Sequence, residues 1–231
     1  MTLRDFTDLP LDDLDRDGAL RQAADELERT SRAGFLATVA GGVATAAALV
    51  RSPAAAAALA KSDVAILNYA LTLEYLQDAF YTEAERKGAL EGPAAELAQV
   101  VGAVERAHVK ALRDVLGKQA VKRPFFDFRG VTEDPAPFTR TAVAFEDLGT
   151  AAYKGQAHRI KSPEVLAAAV GIHSVEARHA AWIRYIAGAP PAAEPFDAAK
   201  SVNETLQLVR ATRFIVVRPR TRSRRRPRYT G

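Results

Sequence analysis

Glu105-Arg106-Ala107-His108 and Glu176-Ala177-Arg178-His179 are two copies of one spacing, a glutamate followed three residues later by a histidine. On an α-helix, residues three apart stand about 60° apart around the axis, so each pair turns a carboxylate and an imidazole to one side. With 14 glutamates and four histidines in 231 residues, chance supplies about a quarter of one such pair, yet two occur. Each is preceded at nearly the same distance by another glutamate, Glu74 lying 31 residues before Glu105 and Glu146 lying 30 before Glu176. Tyr81 and Tyr153 each follow that glutamate by seven residues, close to the same helix face. The chain thus reads as a twofold repeat in which a Glu helix precedes a Glu-x-x-His helix.

The flanking sequence makes these segments helices. Ser62 is a good N-cap for a run reaching Arg86, and Gly88 fits its C′ stop. Pro93 suits the first turn of a second helix ending before Gly117. Residues 118–138 carry Pro124, Pro135 and Pro137 around Phe125-Phe126-Asp127-Phe128, which reads as a packed crossover whose aromatic residues are core. A third helix is predicted from about Thr139 to Ile160. A fourth is capped by Ser162-Pro163-Glu164 and stops at Gly188. The capping box Ser201–Glu204 starts a short fifth helix reaching about Arg213. Phe214–Val217 is apolar and reads as a strand or a packing plug. Four long helices with one long connection between the second and third describe an all-α four-helix bundle of the crossover kind, with a short C-terminal helix added.

Carboxylates facing a bundle core are costly unless a counter-charge meets them. The four glutamates sum to −4, which two divalent cations neutralise, and oxygen-plus-imidazole ligation suits iron or manganese. The chain has no cysteine, which excludes disulfide scaffolds, thiolate zinc sites, iron–sulfur clusters and cysteine nucleophiles. No Gly-rich phosphate loop or nucleophile elbow competes with the bundle.

Glu74, Glu105-x-x-His108, Glu146 and Glu176-x-x-His179 resemble the ligand set of the ferritin-like di-iron carboxylate proteins, over about residues 63–188. The leader and the Asn68–Tyr81 segment further resemble bacterial exported ferritin-like proteins related to desiccation-induced proteins. The resemblance implies that Glu105 and Glu176 bridge two metal ions, with Glu74, Glu146, His108 and His179 each terminal on one. It also implies a ferroxidase-like or peroxide-consuming reaction, with dioxygen or peroxide as small-molecule substrate, in oxidative or desiccation stress. Tyr81 and Tyr153 are expected to hydrogen-bond a ligand carboxylate, to quench a radical, or only to fill the core. Metal-binding histidines normally donate their second nitrogen to an acceptor, for which Asp78, one turn past Glu74, is the candidate. His173 and His158 read as surface residues. Gly149 and Gly155 weaken the third helix, pointing to close helix approach or to room for a substrate.

Outside the bundle the chain divides by composition. Residues 1–30 read as an acidic arm, with nine acids against four arginines in the first 29 positions. Residues 31–60 are small and apolar. Ser31–Leu36 resembles a twin-arginine export motif with Ala33 at the second arginine, so export is expected, with membrane anchoring or a cytoplasmic location as alternatives. Residues 189–213 form a linker and the short helix, and 214–231 an Arg-rich tail. The net charge of +4 belongs to that tail, since from Arg213 onward the chain carries eight arginines and no acid. Two rivals follow: a non-catalytic stress protein whose bundle metal only stabilises, and a DNA-protecting mini-ferritin gripping phosphates with Arg218–Arg228. Nucleic acid is disfavoured, because all six ligands lie in one chain, and a homo-oligomer is compatible with the sequence.

Overall fold

The computed structural model describes residues 59–216, so the acidic arm, the export motif and the Arg-rich tail beyond Val216 lie outside the described residues. Five helices follow one another: α1 (Lys61–Lys87), α2 (Gly92–Leu116), α3 (Pro135–Ala157), α4 (Pro163–Ile186) and α5 (Val202–Thr212). The fold is all-α. α1 packs chiefly on α2 and α3 on α4, each pair joined by a short turn, and the 117–134 segment crosses between the pairs. No helix among the described residues is long and apolar enough to cross a membrane.

Local chemistry explains the ends. Gly88 stops α1 in the left-handed region (φ 62°), its N–H returning to the Ala84 carbonyl. Ser162 caps α4 by accepting from the Val165 N–H, and Ser201 with Glu204 forms the complete capping box of α5. Two ends differ from the sequence reading. α1 begins at Lys61 with Ala60 as its N-cap, and Ser62 instead bonds its neighbour Asp63 at 3.3 Å. Asp63 is fully buried and accepts the backbone N–H groups of Lys161 and Ser162, pinning the start of α1 to the turn before α4. α3 begins at Pro135 and ends at Ala157, about one turn earlier at each end than expected. The Asp134 carboxylate accepts from Ala136 N–H, and Pro135 and Pro137 sit in the first turn, where missing N–H groups cost nothing.

Two apolar clusters fill the bundle. One gathers Phe80, Phe138, Phe145, Phe128 and Phe214, with the Phe80 and Phe138 rings stacked 5.1 Å apart. The other holds Leu67, Leu71, Leu112, Leu116 and Val165. The crossover does pack, but alternately: Phe128 is buried and Phe126 half-buried, while Phe125 is 50% exposed and is not core. Extended backbone turns successive side chains to opposite sides. Phe125–Phe126 (β1) pairs antiparallel with Ile215–Val216 (β2), so the segment after α5 is both strand and plug, Phe214 closing the aromatic cluster against Phe128. Trp182 is half-buried against that cluster.

The 189–200 segment is seated on α3. Lys200 N–H donates to Ala151 O at 3.0 Å, and a Cβ built at Gly155 would stand 1.9 Å from Lys200 O. Gly155 therefore serves close approach of backbone and not space for a substrate. Gly155→Ala is expected to cost about 1–3 kcal/mol through overpacking, lowering the melting temperature by several degrees. Gly171→Ala, facing open space on α4, is expected to leave it unchanged or raise it.

Candidate metal centre

Glu74 on α1, Glu105 and His108 on α2, Glu146 on α3, and Glu176 and His179 on α4 meet in the bundle interior. The four carboxylates have no exposed surface, and the imidazoles are buried. Each helix supplies its share because the neighbouring inward positions are apolar: Leu71, Leu76 and Phe80 flank Glu74 on α1, and Val101 and Leu112 flank the α2 pair. The α1 residues of the two clusters meet about Glu74, which puts the charged layer between two apolar ends.

Both imidazoles turn Nδ1 toward carboxylate oxygens. His108 Nδ1 lies 3.3 Å from Glu74 Oε2, 3.4 Å from Glu105 Oε2 and 3.2 Å from Glu176 Oε1. His179 Nδ1 lies 3.0 Å from Glu105 Oε1 and 3.3 Å from Glu146 Oε2. Two overlapping groups result, Glu74/Glu105/His108/Glu176 and Glu105/Glu146/Glu176/His179, each with its ligand atoms within 4.8 Å of one another. Glu105 and Glu176 belong to both groups, the position that bridging carboxylates require.

Seven inward atoms have no hydrogen-bond partner: Glu74 Oε2, both oxygens of Glu105, Glu146 Oε2, Glu176 Oε1, and Nδ1 of His108 and His179. Buried polar atoms are normally satisfied. Seven such atoms facing one point, all oxygen or imidazole nitrogen, fit a metal site. Outward atoms, in contrast, are held. Tyr81 on α1 donates its hydroxyl to Glu146 Oε1 on α3 at 2.5 Å, and Tyr153 on α3 donates to Glu74 Oε1 on α1 at 2.6 Å. These crossed bonds fix the two terminal glutamates. Burial, then the adjacent carboxylate, raises both tyrosines well above their ordinary range, so they stay protonated donors.

The cage manages its charge in the metal-free protein by holding protons. Burial pushes Glu74 up to about 7, partly opposed by His108, and burial likewise raises Glu146. Burial disfavours the imidazolium of His179, but Glu105 and Glu146 outweigh it and lift that group to about 10; Glu74, Glu105 and Glu176 act the same way on His108.

Two residues sit elsewhere than the sequence predicts. Asp78 is buried, but its carboxylate meets Thr82 (3.0 Å) and the Arg123 guanidinium from the crossover, not a histidine. A helix acid one turn past a ligand has several neighbours to choose from, and here the crossover supplies the stronger one. His173 is half-buried, with Nε2 enclosed and unpartnered, and is not a surface residue; His158 is exposed. Gly149 fits the close-approach reading and not room for a substrate, since a Cβ there would stand 2.7 Å from Glu176 Oε2 on α4. Sequence reasoning also missed Gln77, whose buried amide donates to Glu176 Oε2 at 3.1 Å. Its only signal was the spacing of three residues after Glu74.

A model of the ferritin-like domain family matches residues 62–189, over half of the chain. A comparison with curated proteins returned no match.

Glu74 and His179 both hold protons more tightly folded than unfolded, so folding takes up protons and stability falls as pH rises. Glu74's contribution is complete below its ordinary 4.5 and gone above about 7; that of His179 is complete below 6.5 and gone above about 10. The melting temperature of metal-free protein is expected to fall between pH 7 and 10. Saturating divalent metal, which displaces those protons, is expected to raise it most at the alkaline end.

Proposed function

The chain belongs to the ferritin-like domain family, and on that premise we propose that it is a di-iron protein that reduces dioxygen or peroxide, ferroxidase-like, in protection against oxidative or desiccation stress. The observation that carries this reading is the set of seven unpartnered inward oxygen and nitrogen atoms on six buried side chains. Glu105 and Glu176 would be shared by two ions, Glu74 and His108 would complete one position, and Glu146 and His179 the other. Their carboxylate charge matches two divalent cations, and hard oxygen with imidazole favours iron, with manganese as the alternative. When bound, two ferrous ions supply two electrons together to one oxidant.

The chain's own residues do the rest. Tyr81 and Tyr153 hold Glu146 and Glu74 by their outer oxygens, so the inner oxygens stay aimed at the ions. The aromatic cluster at one end and the leucine-rich cluster at the other keep water from the cage. Both tyrosines lie within hydrogen-bond reach of ligands, the place for a side chain that intercepts a stray one-electron oxidant. The small apolar stretch at 31–60 supports export, and six ligands in one chain argue against a mini-ferritin that builds its centre between subunits.

Stopped-flow absorbance after mixing metal-free protein with two equivalents of ferrous ion in air tests the chemistry. A ferric oxo-bridged band is expected to rise at least about tenfold faster than in buffer and to be absent in Glu105→Ala. Tyr153→Phe, which frees Glu74 but keeps every ligand, is expected to slow it about 10–100-fold. Two bound ions with no faster oxidation would leave a metal-stabilised, non-catalytic bundle.

A further inference from the structure

The repeat that sets Glu74 against Glu146 and Tyr81 against Tyr153 also sets Gln77 against Gly149, each three residues past its glutamate. Here the symmetry of the cage breaks, and both unlike residues lie against one carboxylate. Gln77 Nε2 donates to Glu176 Oε2 at 3.1 Å. From the other side, a Cβ at Gly149 would stand 2.7 Å from that same oxygen and 3.5 Å from the Gln77 amide. Any side chain at 149 would displace the glutamate or the glutamine, so the glycine is what lets the hydrogen bond exist.

Nothing comparable reaches the symmetry-related carboxylate. Both oxygens of Glu105 lack a donor. They divide between the two histidines, Oε2 at 3.4 Å from His108 Nδ1 and Oε1 at 3.0 Å from His179 Nδ1. Glu176 offers only Oε1, at 3.2 Å from His108 Nδ1 and 4.0 Å from His179 Nδ1. The His108 side thus gathers close oxygens from Glu74, Glu105 and Glu176, and the His179 side from Glu105 and Glu146.

We propose that Gln77 is a positioning residue that makes the two metal positions unequal. By engaging one oxygen of Glu176, it commits the other chiefly to the His108 side and leaves Glu105 as the carboxylate that spans both. The His108 position is then the tighter one and fills first, while the His179 position is the weaker and more exchangeable. A carboxylate already accepting a hydrogen bond on one oxygen cannot swing to serve a second ion, whereas one with both oxygens free can. This inference rests on the dimetal reading above.

Calorimetric titration of metal-free full-length protein with Mn²⁺, followed in parallel by manganese EPR, tests it. The wild type is expected to bind two ions with dissociation constants at least about tenfold apart, within the range that partners of metal ligands command. Gln77→Leu frees Glu176 Oε2 and is expected to bring the two constants within about threefold, with both ions still bound. Gly149→Ala breaks the same hydrogen bond from the other side and is expected to narrow the gap likewise, serving as the test if Gln77→Leu does not fold. Gln156→Leu removes another buried glutamine, one bonded to Arg159 and not to the cage, and is expected to keep the wild-type gap. Equal constants in the wild type, or a gap that survives both cage variants, would overturn the role given to Gln77 while leaving the dimetal reading intact. A wild type that takes up no manganese, nor iron offered in its place, would remove the dimetal reading and this inference with it.

Discussion

Four glutamates without exposed surface converge on one point inside the four-helix bundle, and the rest of the described structure is arranged around that repulsion. An unpaired buried carboxylate costs several kcal/mol, and four together cannot be held by packing alone. The protein's own groups answer with two imidazoles whose Nδ1 atoms lie 3.0–3.4 Å from carboxylate oxygens, two phenolic donors, and retained protons. None of these satisfies the inward oxygens by hydrogen bonding, so the neutralisation is incomplete by construction. The apolar ends of the bundle must provide the stability that this layer withholds. That accounts for the density of aromatic rings around Phe80, which stands within 5.5 Å, centroid to centroid, of Tyr81, Phe128, Phe138 and Phe145.

The repeat explains how a short sequence builds such a cage. Each half contributes a Glu helix and a Glu-x-x-His helix, and the crossed tyrosine bonds tie one half to the other, α1 to α3 and α3 to α1. The crossover brings the halves into register. Arg123, pairing with Asp78 and lying over the Tyr75 ring, anchors it to α1, and Phe128 fastens it to the aromatic cluster. Asp63 does the same work at the opposite end, joining the first turn of α1 to the turn before α4. The halves are therefore clamped at both ends, with the charged layer between the clamps.

Much of this was legible in the residues because it depends on local period. Helix number, the Gly88 and Gly188 stops, the Ser162 cap and the Ser201–Glu204 box are read within a turn or two of themselves, and the structure holds them. The six convergent side chains were legible for a related reason, since an i, i+3 pair fixes a face and equal spacing fixes a height. What escaped depends on tertiary partners. Asp63 bonds residues 98 and 99 positions away, and nothing near it announces that. Asp78 found Arg123, 45 positions on, ahead of any imidazole. The proline-rich start of α3 looked like loop because prolines break helices everywhere except in the first turn. Gln77 stands three residues after Glu74, but its counterpart in the repeat is Gly149, so the spacing alone did not mark it.

The energetic layout also bears on why the cage exists. Replacing a buried ionic cluster by apolar side chains of similar volume is often neutral or stabilising. A bundle selected only for stability would place leucines at the six positions, continuing the two clusters into one. It would not need tyrosines aimed at the outer oxygens of Glu74 and Glu146, nor a glycine at 149 that gives up helix propensity so that Gln77 can reach Glu176. The tyrosine rings pack in the two clusters, but their hydroxyls and the glycine do something packing does not need: each controls where a carboxylate oxygen points. Control of that kind matters when the oxygens meet something whose coordination must be directed, as the two unequally held cations proposed above would be. A purely structural ion is served by any closed set of ligands, whereas a carboxylate free at both oxygens beside one held at a single oxygen suits a centre that must change its coordination as it works.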